Sequence, residues 1–573
     1  LSRLTVGSDS EFGTAVETCW HLARLLGIRD PAWANSRLAA DYFSDRGVGA
    51  GIENEYETDD SKGSLISYIM TDRGKDDLGR YRKNIEPDKD IRGRFSFRHR
   101  QYLPDDWQLT LETSYLSDRN FLEAMYRNEF YTDKDQETVL HLKRIWDNQA
   151  FSILGKIRIN DFETTTDELP SVEYHRTGQS FWDDRLTWYS DSQLGRFRNR
   201  FDNDADLRPT DTSDFYTFAY TRNEVDWPLM WNTVKLVPFA AGSYGYEDDY
   251  GFDRTLDGRR IDSENKVILG EAGIRASTMF WKEDPFVRSA LWDISGLRHI
   301  ITPYMEAVVY EASDKTADMR DVIHAGIQQR WQTHRGSQQE LRTLDWMRLD
   351  IETTWVSEDA KAAVSPLADD PFGYGLRQVY GPAGFIYNDP SIPLLLRRDD
   401  SFFGTVRDTL NTEYIWRISD TFSLLSDMNY DINSGRIQQL DAGVSRYVYP
   451  DISYYLGTRY LYPVVLPVDK TRDGIPDIYE KGSNSFVAAV TYRLSQRYTA
   501  TFSQEYNFDF GKAIRSDLAL IRHYHRLFYA MSLSLDESLN RSSVMFSVWP
   551  QGVEELTVGS RKYTALTGSR WED

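Results

Sequence analysis

Apolar and polar residues alternate with a period of two along nearly the whole chain, the spacing that puts successive side chains on opposite faces of a strand. In residues 151–159, Phe151, Ile153, Gly155, Ile157 and Ile159 share one face, and Ser152, Leu154, Lys156 and Arg158 the other. In residues 422–433, Phe422, Leu424, Ser426, Met428, Tyr430 and Ile432 alternate with Ser423, Leu425, Asp427, Asn429, Asp431 and Asn433. The scheme recurs in residues 498–508 and 527–535. Near the start, Trp107, Leu109, Leu111, Thr113 and Tyr115 oppose Gln108, Thr110, Glu112 and Ser114, while Val48, Ala50, Ile52 and Tyr56 oppose Gly49, Gly51, Glu53, Glu55 and Glu57. Acidic, turn-rich stretches at 57–62, 199–206, 247–262 and 469–484 read as loops. Residues 22–28 are a short helix candidate, stopped by Asp30-Pro31. No low-complexity linker divides the chain, so residues 1–573 read as one domain.

A soluble sandwich also alternates, but its strands run to about 5 or 6 residues, whereas these segments run to about 9 to 11, enough to cross a bilayer when tilted. Aromatic residues gather at segment ends, as with Tyr447 and Tyr449, Tyr460 and Tyr462, and Trp549, where a membrane girdle sits. Interior rows hold Lys, Arg, Asp and Glu, which a dry core rejects and a hydrated lumen accepts. The pattern therefore predicts an all-β chain folded as a large closed antiparallel transmembrane β-barrel.

Composition sharpens that reading. Aromatic residues make up 14% of the chain, charged residues 27%, and mean hydropathy is -0.57, a pairing that suits an apolar outside and a wet inside. A net charge of -22 sets nucleic acid aside as a partner. No stretch approaches the roughly 18 apolar residues of a membrane helix, so the chain must span as strands. Cys19 is the only cysteine, which leaves no internal disulfide. The sequence opens inside what reads as structure, and an upstream segment is expected to have been removed.

Several words, in order, add to the periodicity. Val6-Gly7-Ser8 with Gly13-Thr14, Asp45-Arg46-Gly47-Val48-Gly49, Leu116-Ser117-Asp118-Arg119-Asn120-Phe121-Leu122, Leu169-Pro170-Ser171-Val172 and Arg298-His299-Ile300-Ile301-Thr302-Pro303 follow one another along the chain. This set resembles the barrel domain of the LptD family of lipopolysaccharide-assembly proteins, with its opening strands and "RG" turn, its "SDxxFL" segment, its "LP" segment and its "RHxxxP" segment. The resemblance implies a barrel of about 26 strands in the cell outer membrane. It also implies a translocator and not an enzyme. Its partners would be lipopolysaccharide, outer-membrane lipids, an LptE-like plug lipoprotein in the lumen, and a periplasmic transport bridge reached through an N-terminal jelly roll that is missing here.

The resemblance further implies a lateral opening between first and last strands. The gate candidates are Leu4, Val6, Thr14 and Val16 at the start, and Val544, Phe546 and Val548 at the end. Two features depart from the family: no proline precedes Pro31, and His523-Tyr524-His525 stands where members hold a paired cysteine. A general outer-membrane transport barrel, porin-like or plugged, is the alternative.

One local motif stands apart. Asp469, Thr471, Asp473, Ile475, Asp477 and Glu480 fall at the ligand positions of a calcium loop, with Gly474 at its tight turn. The bland reading is an acidic connection, and no other cofactor is expected. Counting strands back from the C-terminus puts this link on the periplasmic side. The nine histidines show no zinc spacing. Carboxylate pairs such as Glu53 with Glu55, or Asp248 with Asp249, are too common to mark an acid and base. Gly242-Ser243-Tyr244-Gly245 lacks the strand-to-helix context of a nucleophile elbow and reads as strand or turn.

Overall fold

In the computed structural model of the chain, the described residues are 2–29, 31–78, 82–204, 213–247, 266–313, 321–336, 341–357, 377–380, 386–389, 408–448, 451–468, 477–537 and 540–550. Among them, 28 strand segments form one antiparallel sheet, and Arg377–Tyr380 pairs with Ile386–Asp389 as a separate hairpin. Leu229–Trp231 continues Phe215–Asp226, and Phe280–Ser289 continues Lys266–Thr278; in each case both pieces bond the same neighbour. The wall therefore has 26 strands. Neighbours in sequence are neighbours in the sheet, and the circle closes where β1 (Arg3–Asp9) pairs with the last strand, Arg541–Pro550.

Seven wall strands and the links between them matter for function. They are β1, β2 (Gly13–His21), β3 (Ala34–Phe43), β4 (Gly47–Glu57), β5 (Ser61–Thr71), β6 (Ile91–Tyr102) and β7 (Trp107–Leu116). The alternation read from the sequence separates their faces. Ile52, Ile69, Phe95, Tyr115 and Phe546 are exposed on the outside, where a soluble protein would not leave so continuous an apolar surface. Asp41, Glu53, Arg92, Arg94 and Ser114 are buried on the inside. The interior glycines of β4 have a steric reason. A Cβ at Gly49 would overlap the Tyr68 hydroxyl, and one at Gly51 would press on the same ring. Tyr68 lies flat across them and donates to Asp41 Oδ2 at 2.9 Å.

Among the described residues, three short helices interrupt the links. The predicted helix at 22–28 is α1 (Leu22–Leu25), ending sooner because Leu26 already closes the turn. The link after β7 holds α2 (Phe121–Met125) and α3 (Arg127–Thr132), which strand periodicity alone did not anticipate. Every residue of α2 is buried, and the helix joins Phe12, Phe43, Tyr68, Met70, Leu78, Leu116, Tyr126 and Met545 in an apolar cluster inside the barrel.

Both ends of the wall, Arg3 and Pro550, lie on one side. There the connections are mostly tight, as at 58–60, 103–106, 147–148 and 496–497, and Asp105, Asp106, Asp147 and Asp293 take the left-handed conformation that short polar side chains tolerate. The opposite side carries the long connections 72–90, 117–137 and 201–214. Short turns mark the periplasmic face of such barrels and long loops the outer face. The hairpin of Ile452–Val468 and Asp477–Ser495 turns on the long-loop side, which corrects the periplasmic placement of the calcium-like link. Residues 477–484, expected as loop, are strand, because the ladder resumes after a register shift between Leu461 and Val464 and runs to the Val468–Asp477 pair. An epitope inserted between Asn433 and Ser434 should be stained on intact cells, and one between Gln496 and Arg497 only after permeabilisation; the reverse pattern would invert this orientation.

Candidate functional site at the seam

The one place where the barrel joins residues from opposite ends of the chain is the ladder between β1 and Arg541–Pro550. Six residue pairs make it, from Leu4 with Val548 to Asp9 with Ser543, against ten pairs on the other side of the same last strand. The two ladders bearing on Arg541–Pro550 are thus unequal. On the outer face, Thr14, Ser8 and Val544 form one cross-strand row, and Val16, Val6 and Phe546 the next. Leu4 with Val548 completes the set. The structure therefore brings together all seven gate candidates read from the sequence, with Val6, Thr14, Val544 and Phe546 exposed.

The inner face of the seam is built from small side chains. Thr5 Oγ1 and Ser547 Oγ lie 2.7 Å apart and share a hydrogen bond, both buried. Gly7 faces Met545 so closely that a Cβ would overlap both the Val544 carbonyl oxygen and the Met545 Sδ. Any larger residue at Gly7 would push first and last strands apart. Past Val548, Trp549 and Pro550 pair with Phe528 and Leu527 on the other side.

At the outer end the seam meets charge. Arg541 Nε sits 3.0 and 2.9 Å from the two Asp9 oxygens, and its Nη1 2.9 Å from Glu11 Oε2. Glu11 also takes Arg46 Nη2 at 2.5 Å. Arg46 Nη1 then reaches Asp72 at 3.0 Å and Asp76 at 2.7 Å. Arg92 binds the same two carboxylates, at 2.8 and 2.9 Å, and holds Asp118 at 2.8 Å. The side chains of Arg46, Arg92, Asp72 and Asp76 are wholly buried. Phe12 lies under both Arg541 and Arg46, with ring centroids 4.3 and 5.0 Å from the guanidinium carbons.

Local structure explains how these groups meet. Arg46 stands in the tight turn from β3 to β4, Asp72 and Asp76 follow β5, Arg92 starts the inward row of β6, and Asp118 follows β7. Asp118 also accepts from the Asn120 amide and from Ser117 Oγ, whose own oxygen accepts from the Gly93 amide, so this link is pinned to the top of β6. Burial by itself would raise the Asp118 carboxyl; the hydrogen bonds from Arg92 outweigh it and hold the group below the usual carboxylate range. For Arg46 burial works against the charge, and the carboxylates around it prevail, keeping the guanidinium more firmly protonated than in water.

Two words singled out in the sequence, around Arg46-Gly47 and Ser117-Asp118, thus converge on one cluster. Sequence reasoning missed Asp9, Glu11, Asp72, Asp76, Arg92 and Arg541 as its other members. Arg92 had a signal, since it opens an inward row that continues through Arg94 and Ser96; the rest are ordinary loop or strand-end charges until the barrel closes. Of the calcium-loop candidates, Asp469, Thr471, Asp473 and Ile475 lie outside the described residues. The Asp477 and Glu480 backbones pair with Val468 and Val465, and their side chains are likewise outside what is described. Among the described residues, no cluster of histidine, cysteine and carboxylate side chains has metal-holding geometry.

Comparison with known proteins adds a family to this geometry. The family model LptD, LPS transport system D, matches residues 90–314, a span that contains Arg92 and Asp118. No curated protein matches the sequence. Among solved structures, the siderophore receptor PirA from Pseudomonas aeruginosa is 8% identical, covering 96% of this chain and 79% of its own, with a TM-score of 0.32. The FrpB iron transporter from Neisseria meningitidis is also 8% identical, covering 94% and 87%, with a TM-score of 0.35.

Removing one partner from a buried ion pair strands the other charge, at a cost of about 3–5 kcal/mol. Arg92→Met should therefore lower the unfolding midpoint of the barrel in urea far more than Arg100→Met on the same strand. The Asp118 contribution has a defined pH sign: with its folded carboxyl held low, it is present above the unfolded value of about 4 and lost as pH falls through the folded one. Asp118→Asn should accordingly destabilise the barrel at pH 7 and matter least in strong acid, as thermal melts at both pH values would show.

Proposed function

From a closed outer-membrane barrel that carries the LptD-family match across residues 90–314, we propose that this chain moves lipopolysaccharide to the outer leaflet by a split route, sugar through the wet lumen and acyl chains through the seam between β1 and Arg541–Pro550. The family match is the observation that carries the transport reading. The seam supports the finer one, because it is the ladder that joins the two chain ends and the small residues Thr5, Gly7, Ser543 and Ser547 supply most of its inner face beside Asp9 and Met545.

The physics favours two paths. Each acyl CH2 kept in water costs about 0.8 kcal/mol relative to hydrocarbon, so several chains together put tens of kcal/mol against a wholly aqueous route. The sugar and its anionic groups face the opposite penalty in lipid. A seam that parts exposes backbone groups, but those on the lumen side can bond to water, so each pair lost costs on the order of 1 kcal/mol and not the several kcal/mol of an orphan in hydrocarbon. The lipid leaves chemically unchanged, and no reacting residue is required. In this proposal an LptE-like lipoprotein fills the lumen, and a periplasmic domain attached upstream of Leu1 delivers the lipid from the transport bridge. Calcium in the 469–480 link remains a separate proposal, which terbium luminescence of the Asp473→Ala barrel against the parent would check.

Ser8 and Val544 are direct partners across the seam, at a spacing that a disulfide can bridge. In a Cys19→Ser background, Ser8→Cys with Val544→Cys should block the appearance of new lipopolysaccharide at the cell surface under oxidation and release it on reduction. Leu518→Cys with Leu533→Cys, partners in the wall next door, should not. Normal export from the stapled seam would end the lateral-exit reading.

A further inference from the structure

The two ends of the seam differ in kind. Toward the periplasm the paired positions are uncharged, with Leu4, Thr5, Val6 and Gly7 against Met545, Phe546, Ser547 and Val548, and beyond them Arg3 of β1 lies 3.9 Å from Glu17 of β2. Toward the outside, Arg541 of the last strand grips Asp9 and Glu11, which belong to β1 and its turn. Two further bonds reinforce that end: the Ser10 amide donates to the Ser542 carbonyl and the Ser542 amide to Ser10 Oγ, both at 2.8 Å.

The two sides of this grip are not anchored alike. Glu11 is tied through Arg46 to the buried carboxylates Asp72 and Asp76, and Phe12 packs against Phe43 with ring centroids 5.2 Å apart and planes tilted by 58°. The β1 side is thereby fastened to the links above β3, β5 and β7. From the last strand, Met545 joins the apolar cluster and Arg541 the charged one. Met545 is a flexible side chain seated over Gly7, and it can slide out without leaving an unsatisfied group. A guanidinium cannot: it must exchange two carboxylates for other partners.

We propose that Arg541 is a positioning residue that latches the outer end of the seam, and that opening moves the last strand away from a β1 edge held in place by Glu11 and Phe12. This rests on the reading of the seam as the lipid exit and adds to it which edge moves and what releases it. With the latch closed, the uncharged part of the seam can breathe while the outer end stays shut. With it open, the whole ladder parts on the side where the sugar must emerge.

The test places nitroxide labels on Ser8→Cys and Val544→Cys in purified Cys19→Ser barrel, where closed partners give spin–spin broadening that vanishes when the strands separate. Arg541→Gln should lose much of this broadening, and the exchanged pair Asp9→Arg with Arg541→Asp should regain it. Labels at Leu518→Cys and Leu533→Cys should stay coupled throughout, and a heat-induced gel shift confirms that each variant has folded. Full broadening in folded Arg541→Gln would overturn the latch, as would a failure of the exchanged pair to restore it. Neither readout involves lipid export. A failed latch therefore leaves the exit reading standing, whereas normal export from the oxidised Ser8–Val544 staple would remove the exit and with it the latch's role.

Discussion

A backbone amide or carbonyl left without a partner in hydrocarbon costs several kcal/mol, and water is not there to help. Every other property of this molecule follows from that constraint. It requires each strand to be paired on both edges, so the sheet has to close on itself, and closure forces the first seven residues of the wall against its last ten. The resulting seam is a structural necessity before it is anything else. It is the shorter of the two ladders that bear on the last strand, so the strand parts from β1 with fewer bonds broken than it would from its other neighbour.

The lumen obeys the opposite rule. Facing inward, charged groups are tolerated if they are paired, and they are: Arg222 and Arg275 are shared among Glu224, Asp226, Glu271 and Glu306, Arg198 holds Asp167, and Arg330 holds Asp345. The carboxylates of the lumen are therefore partly neutralised within the wall itself. Near the outer end of β1 to β7 the pairing becomes so dense that it excludes solvent, and α2 packs its whole length into the same region. That sector of the outer end is a folded core. Its fixed charges give the adjoining seam a rigid edge.

Outer-membrane location and a place in lipopolysaccharide transport rest on the family match together with this architecture. Two of the sequence words that carry the resemblance meet in space at Arg46 and Asp118, bridged by Arg92 and two aspartates that no local pattern marks.

Much of this was legible from the chain alone, and the reason is periodicity. Each membrane strand must show one face to lipid and one to water, so residues such as Phe151, Ile153 and Ile157, or Val544, Phe546 and Val548, declare their direction without reference to any neighbour. The strand class follows, and so does the pairing of adjacent strands, because short turns permit little else; the expected count of about 26 comes from the family resemblance and not from the period. What the chain could not declare is anything that depends on closure or on long links. The side of the 469–476 connection needed every preceding strand to be placed. The helices after β7 are set by what they bury, not by their own spacing. Asp9 and Arg541 are separated by more than five hundred residues, and their pairing exists only because the last strand comes round to meet the first.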